Sequence, residues 1–207
     1  MRDEVEWPIW LNVSRETKTQ FELLADMVAH WSKRINLVSR SSSATFWQRH
    51  IFDSAQIYAL KPDHCKRWLD LGSGAGFPGL VVAIMARKSD PEISVTLVES
   101  DKRKAVFLRE AARQLDLRVH VLDSRIESIP PLEADILSAR ALAPLSKLCG
   151  FANRHLRDGG IALFPKGQSH YGEIVSARQE WDFSLTIHTS MTDSSSVILE
   201  MEALKHV

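Results

Sequence analysis

Four of the nine glycines in this 207-residue chain fall within eight residues, in Asp70-Leu71-Gly72-Ser73-Gly74-Ala75-Gly76-Phe77-Pro78-Gly79. The run follows the apolar Trp68-Leu69 and precedes the helical-looking Leu80 to Arg87, so it reads as a strand, a glycine turn and a helix N-terminus. Such a turn, lacking Cβ atoms, admits a nucleotide-like ligand to the backbone while the first helix amides stay free to donate hydrogen bonds. Asp70 narrows the ligand further. A pyrophosphate gains nothing from a carboxylate two residues before the first glycine, whereas an ammonium or sulfonium centre does. The pattern points to S-adenosylmethionine, with Asp70, Gly72, Gly74 and Gly76 as candidate cofactor contacts.

On either side of this turn the chain changes character. From Ser14, a candidate N-cap, the spacing of Phe21, Leu24, Val28, Trp31 and Ile35 predicts an amphipathic helix. A second helix is predicted from about Ala44 to Leu60, burying Phe46, Ile51, Ala55 and Tyr58, and Pro62 breaks the chain after it. Beyond that point strands are predicted at Arg67 to Leu71, Ile93 to Glu99, Arg118 to Leu122, Ala134 to Ser138, Ile161 to Phe164, Ser184 to Thr189 and Val197 to Met201. Helical segments at about 79 to 88, 101 to 115 and 144 to 156 separate the first five. Five β-α units give a parallel sheet with helices on both faces, and the short polar link Ser190 to Ser195 makes the last two strands an antiparallel hairpin. The expected fold is α/β: a seven-stranded, Rossmann-like methyltransferase sheet ending in that hairpin. Residues 1–62 would form an N-terminal helical cap and 63–207 the methyltransferase domain, the two making one structural unit.

In an open α/β sheet the ligand lies at the carboxyl ends of the strands. The second strand ends in Glu99, where a carboxylate can accept both ribose hydroxyls of an adenosine. Gly74-x-Gly76-x-x-Gly79 with Glu99 twenty residues on also satisfies the dinucleotide fingerprint, so an NAD site is the competing enzyme reading. Pro78 argues against it by removing a backbone donor at the helix start, and Asp70 by repelling a pyrophosphate. A catalytically silent binding module with the same fold is the third reading, which the intact Asp70, glycine set and Glu99 disfavour.

Net charge is zero, with 26 basic and 26 acidic residues, but the charges are unevenly placed. Residues 31–50 hold Lys33, Arg34, Arg40 and Arg49 and no acid, and residues 138–170 hold Arg140, Lys147, Arg154, Arg157 and Lys166 against Asp158 alone. A local basic face on a neutral protein suits a polyanion as well as a plain solvated surface. Cys65 and Cys149 form no CxxC pair, and the eight histidines show no metal-ligand spacing, so neither a disulfide nor a metal site is expected. The acidic start Met1-Arg2-Asp3-Glu4 and the lack of any apolar run near 18 residues argue against a signal peptide and a membrane span, so the expected location is the cytoplasm.

Six stretches carry a closer likeness. His30-Trp31-Ser32-Lys33-Arg34-Ile35-Asn36-Leu37-Val38-Ser39, Arg49-His50-Ile51-Phe52-Asp53-Ser54, Asp70 to Gly79, Ser124-Arg125-Ile126-Glu127, Ser138-Ala139-Arg140-Ala141 and Leu163-Phe164-Pro165-Lys166-Gly167-Gln168 occur in this order along nearly the whole chain. Together they resemble the bacterial small-subunit ribosomal RNA guanine-N7 methyltransferase family, also called glucose-inhibited division protein B. From Tyr171 onward the similarity is only generic.

The resemblance implies a guanosine in a decoding-region loop of 16S rRNA as substrate and S-adenosylmethionine as cofactor; the RNA is expected free or in the small ribosomal subunit, and the enzyme is expected to be a monomer without a metal. It carries cofactor contacts onto Gly72, Phe77, Ile126, Glu127 and Arg140. Guanine N7 is an unprotonated lone pair at neutral pH, so no catalytic base is assigned. An Arg fork on O6 and N7 would occupy the reacting lone pair, so guanine must be read through O6 or its Watson-Crick edge. Arg140 and Lys166, at the ends of strands four and five, are the candidate cations for O6 or phosphate. Lys33, Arg34, Arg40, Arg49 and Lys166 are the candidate RNA contacts.

Overall fold

Alternation along β1 (Arg67–Leu71) divides the core in two. Leu69 and Leu71 join the hydrophobic cluster on one face of the sheet, whereas Trp68 joins the cluster on the other. In this computed structural model, which describes residues 5–38 and 43–207, β1 is an interior strand of a seven-stranded sheet, paired with β2 and β4. Its partners are β2 (Ser94–Val98), β3 (Val119–Leu122), β4 (Ala134–Ala139), β5 (Leu156–Lys166), β6 (Trp181–Thr189) and β7 (Val197–His206), in the order β3-β2-β1-β4-β5-β7-β6. The first five run parallel, and β7 lies antiparallel between β5 and β6.

The predicted first helix is α1 (Arg15–Trp31), with the Ser14 hydroxyl accepting from Thr17 N–H at 3.2 Å as its cap. It lies across α4 (Gly79–Ser89) and α5 (Lys102–Gln114), sharing one core with them through Phe21, Leu24 and Val28. The predicted second helix is broken into α2 (Ser43–Phe46), a π-helical turn (Trp47–Phe52) and α3 (Asp53–Tyr58). Phe46 is only half-buried, and Trp47 and Phe52 take core places beside Ile51. A wide turn of this kind shifts the helical face by one residue, which a 3.6-residue reading cannot foresee.

On the opposite face lie α6 (Leu145–His155) and α7 (His170–Ala177), the latter too short to stand out in the sequence. The third β-α unit is reduced to a 3₁₀ turn at Ile126–Ser128. Strand β5 starts at Leu156, five residues before the expected Ile161, because Leu156 pairs with Ala134 across a register shift. No helix among the described residues is long and apolar enough to cross a membrane.

One buried carboxylate ties three strand starts together. Asp135 accepts from Lys66 N–H at 2.8 Å and Arg67 N–H at 2.7 Å through Oδ2, and pairs with Arg157 through Oδ1. These donors hold its carboxyl below the usual range despite burial, so its contribution to stability is full above about pH 4 and is lost as pH falls below that. Asp135→Ala is expected to cost about 2–4 kcal/mol in urea denaturation at pH 7, with the difference from the parent narrowing in acid.

Candidate active site

The carboxyl ends of β1, β4 and β5 open into a cavity of about 1450 Å³. One wall is the glycine loop, contributing Gly72, Ser73, Gly74, Ala75 and Phe77. Facing it are Gln48, Arg49, His50 and Asp53 from the π-helical turn and the start of α3. Arg140 to Pro144 after β4, Pro165 to Gly167 at the end of β5, and Thr192 to Ser194 between β6 and β7 also line it.

Two of the loop's positive-φ glycines have opposite surroundings. Gly74 has φ +56°, and a Cβ there would meet only the Gly72 carbonyl oxygen at 3.8 Å, so the missing side chain is open cavity. Gly72, at φ +65°, instead lies against Leu142, whose Cδ1 would be 2.5 Å from an added Cβ. Glu99 fastens the loop: its Oε2 accepts from Gly74 N–H and its Oε1 from Asp101 N–H, both at 2.8 Å. The sequence expectation for Glu99 is a ribose contact; in the structure its carboxylate is engaged by Gly74 and Asp101 N–H.

Asp70 departs from its expected role as a direct contact for an ammonium or sulfonium centre. The alternation of β1 turns it to the same side as Trp68, beneath the first turn of α4, with 1% of its surface exposed. Oδ1 accepts from the Ser138 hydroxyl at 2.8 Å, and Oδ2 lies against Gly79 without a hydrogen bond of standard geometry. Burial pushes its pKa up to about 6. The folded value lies above the unfolded one, so the stability it contributes is full below about pH 4 and is lost as pH rises through 6.

Other sequence-derived positions separate. Gly76 packs against Leu80 behind the loop, Ile126 belongs to the core under α6, and the exposed Glu127 pairs with Lys147 at 3.4 Å. Glu99, Ile126 and Glu127 lie beyond this cavity's wall, whereas Gly72, Gly74, Phe77 and Arg140 are on it. Lys166 is no free cation: it donates to Glu173 at 2.7 Å and to the Ala143 carbonyl at 3.2 Å. Lys33 and Arg34 are exposed after α1, Arg49 is exposed at the cavity, and Arg40 lies outside the described residues.

Arg140 is the most heavily committed group. Its Nη1 donates to the Arg49 carbonyl at 2.5 Å and lies 3.5 Å from Asp53, and its Nη2 is 2.9 Å from His50 Nδ1. The guanidinium also stands 5.6 Å over the Phe77 ring. Sequence reasoning passed over His50, Asp53 and the Thr192–Ser194 link as site residues. His50 and Asp53 were visible inside the stretch Arg49 to Ser54, but nothing local marked the hairpin link. It is brought in by Gln48, which donates to the Thr192 carbonyl at 2.6 Å, and by buried Gln56, which bonds Ser190 and Met191 N–H.

The cavity fits a nucleoside carrying an amino-acid tail: glycine backbone on one side, the Phe77 ring, and room that a Cβ at Gly74 would fill. In the dinucleotide-binding sheet the strand order runs 3-2-1-4-5-6. Here β7 is inserted antiparallel between β5 and β6, and that edge makes the fold a class I methyltransferase. A solved S-adenosylmethionine-dependent methyltransferase from Aquifex aeolicus superposes with a TM-score of 0.58 at 14% identity, over 76% of this chain and 92% of that one.

Sequence comparison is more specific. The family model for rRNA small subunit methyltransferase G matches residues 17–201, and the chain belongs to that family. Ribosomal RNA small subunit methyltransferase G of Cereibacter sphaeroides is 51% identical over 197 residues, covering 95% of this chain and 96% of the relative. Its counterpart from Ruegeria pomeroyi is 49% identical over the same shares of the two chains.

Proposed function

We propose that this chain transfers a methyl group from S-adenosylmethionine to N7 of a guanosine in 16S rRNA, in a decoding-region loop of the small ribosomal subunit. The observation that carries the reading is a cavity in which the glycine loop, with Gly74 held by Glu99 from behind, faces the ends of β4 and β5. We place the protein in the cytoplasm, acting as a monomer without a metal on RNA that is free or already assembled into the subunit.

Gly72, Gly74 and Phe77 would hold the methionyl and ribose parts, with Glu99, Ile126 and Glu127 proposed for the ribose and adenine. The cofactor supplies an activated methyl group. That methyl would pass to the N7 lone pair, with the electron pair of the broken S–C bond left on sulfur and the positive charge taken up by the guanine ring. No proton moves in this step. The chain's task is alignment at near-attack distance, which can supply roughly 7–11 kcal/mol of the barrier. Asp70 supports the loop from below, and Arg140 braces the opposite wall.

Mapping N7-methylguanosine in 16S rRNA from cells with and without the protein tests the reading. The modified base should vanish with the gene and return with the purified protein and S-adenosylmethionine, and its persistence without the protein would end the proposal. Because no base is needed, the single-turnover rate is expected to be flat between about pH 7 and 8.5. Asp70 titrates at about 6 and His50 at about 4, both below this window. A rise with an apparent pKa inside it, at saturating RNA and cofactor, would require a general base.

Lys33, Arg34, Arg40 and Arg49 are proposed to hold phosphates flanking the target, with exposed Lys33, Arg34 and Arg49 supporting the assignment. Arg34→Ala is expected to weaken RNA binding and to lower the magnitude of the log K versus log salt slope by roughly 0.7–0.9. Cofactor affinity should not move. An unchanged slope would reduce this segment to a solvated face.

A further inference from the structure

His50 sits in the cavity with one ring nitrogen engaged and the other open. Its Nδ1 is 2.9 Å from Arg140 Nη2. A guanidinium has donors only, so Nδ1 must be the acceptor, and the proton of the neutral ring therefore resides on Nε2. Among the described residues Nε2 has no hydrogen-bond partner, yet it is not among the sealed, unpartnered polar atoms. It is a donor left for something entering the cavity.

The ring is held in place. It stacks on Phe77 with centroids 5.1 Å apart and planes at 24°, and Phe46 packs beside it at 5.2 Å. Burial and the charges of Arg140 and Arg49 push its pKa down to about 4, so it stays neutral at physiological pH. Asp53, 3.5 Å from Arg140, is the acid on the same wall and neutralises the guanidinium behind the ring.

On the reading that guanine N7 is the methyl acceptor, the base must be recognised without covering N7. The two cations first considered for O6 are otherwise engaged, Arg140 by Arg49, His50 and Asp53 and Lys166 by Glu173. We propose that His50 is a specificity residue whose Nε2–H donates to guanine O6, with Arg140 as the positioning residue that sets its tautomer. A single neutral donor reads O6 while leaving the adjacent N7 lone pair free, and it adds no positive charge to a ring that becomes cationic. Adenine presents an N6 amino donor at the same place, so it would meet the His50 proton head-on and be refused.

The test uses small subunits rebuilt with 16S rRNA in which the methylated guanosine is replaced by 2-aminopurine, a base that keeps N7 and lacks O6. The enzyme variant is His50→Phe, which preserves the stack on Phe77 and removes the donor. Each change alone is expected to lower single-turnover efficiency by roughly 10-fold to 100-fold, the range expected for an unmet buried hydrogen bond. Together they should cost no more than the larger of the two single losses, because both remove the bond to O6. His50→Gln, which keeps an N–H donor, should recover part of the loss with guanosine and none with 2-aminopurine. Losses that multiply, or a Gln variant no better than Phe on guanosine, would overturn the role of His50 while leaving the reaction intact. Absence of transfer to guanosine-containing subunits by the parent enzyme would overturn the reaction itself, and this proposal with it.

Discussion

Gly74→Asn is expected to weaken S-adenosylmethionine binding at least a hundredfold while the protein still unfolds cooperatively near the parent midpoint. Gly74 has φ +56°, a conformation that Asn tolerates better than other side chains, so the substitution adds little backbone strain. A Cβ at this position meets only the Gly72 carbonyl oxygen at 3.8 Å, which leaves the cavity as the place for the new side chain. A hundredfold change corresponds to about 2.7 kcal/mol. Gly72→Val is expected to lose both binding and stability, because a β-branched residue is poorly tolerated at φ +65° and its Cβ would press on Leu142. Calorimetric titration with S-adenosylmethionine, alongside urea denaturation of each variant, separates occupancy from folding. Unchanged affinity in Gly74→Asn would place the cofactor elsewhere, and binding of NADH in place of S-adenosylmethionine would restore the dinucleotide reading.

Glu99→Ala is expected to lower both stability and cofactor affinity. If the carboxylate served only a ribose, affinity alone would fall. Its two oxygens instead hold Gly74 N–H and Asp101 N–H, so removal leaves two backbone donors without their acceptor and frees the loop that Gly74 helps to shape. Hydrogen bonds to a charged partner contribute about 1.5–3 kcal/mol each, and water reaching the gap offsets part of the loss. A stability decrease of roughly 2–4 kcal/mol is expected, with binding weakened at least tenfold. Glu99→Gln keeps one carbonyl acceptor and should fall between the two. A parent-like urea midpoint for the Ala variant would return Glu99 to the ribose role alone.

The positions legible in the sequence were those announced by local rules. Period-two strands gave Arg67–Leu71 to the residue, and the start of the hairpin strand Val197–His206 was also found. The glycine run marked the wall that carries Gly72, Gly74 and Phe77. Asp70 was read from its place in the motif, but strand alternation turned it under α4, where it meets Ser138 instead of the cavity. Lys166 was read as a cation reaching out from a strand end, yet Glu173 from the unpredicted α7 takes it at 2.7 Å.

What the sequence determined by itself was the sheet, the loop and the side on which a ligand would enter. Each depends on spacing within a few residues: alternation in strands, 3.6-residue periodicity in helices, and glycine where φ is positive. The tertiary structure alone decided the second wall. Arg140 reaches His50 across 90 residues of chain, and Gln56 reaches Ser190 across 134. Those contacts follow from α1 and α3 packing onto α4 and from β7 entering the sheet between β5 and β6. Partners that distant share no periodicity, and which of them meet is settled only when buried apolar surfaces dock and bring their polar edges within hydrogen-bond reach.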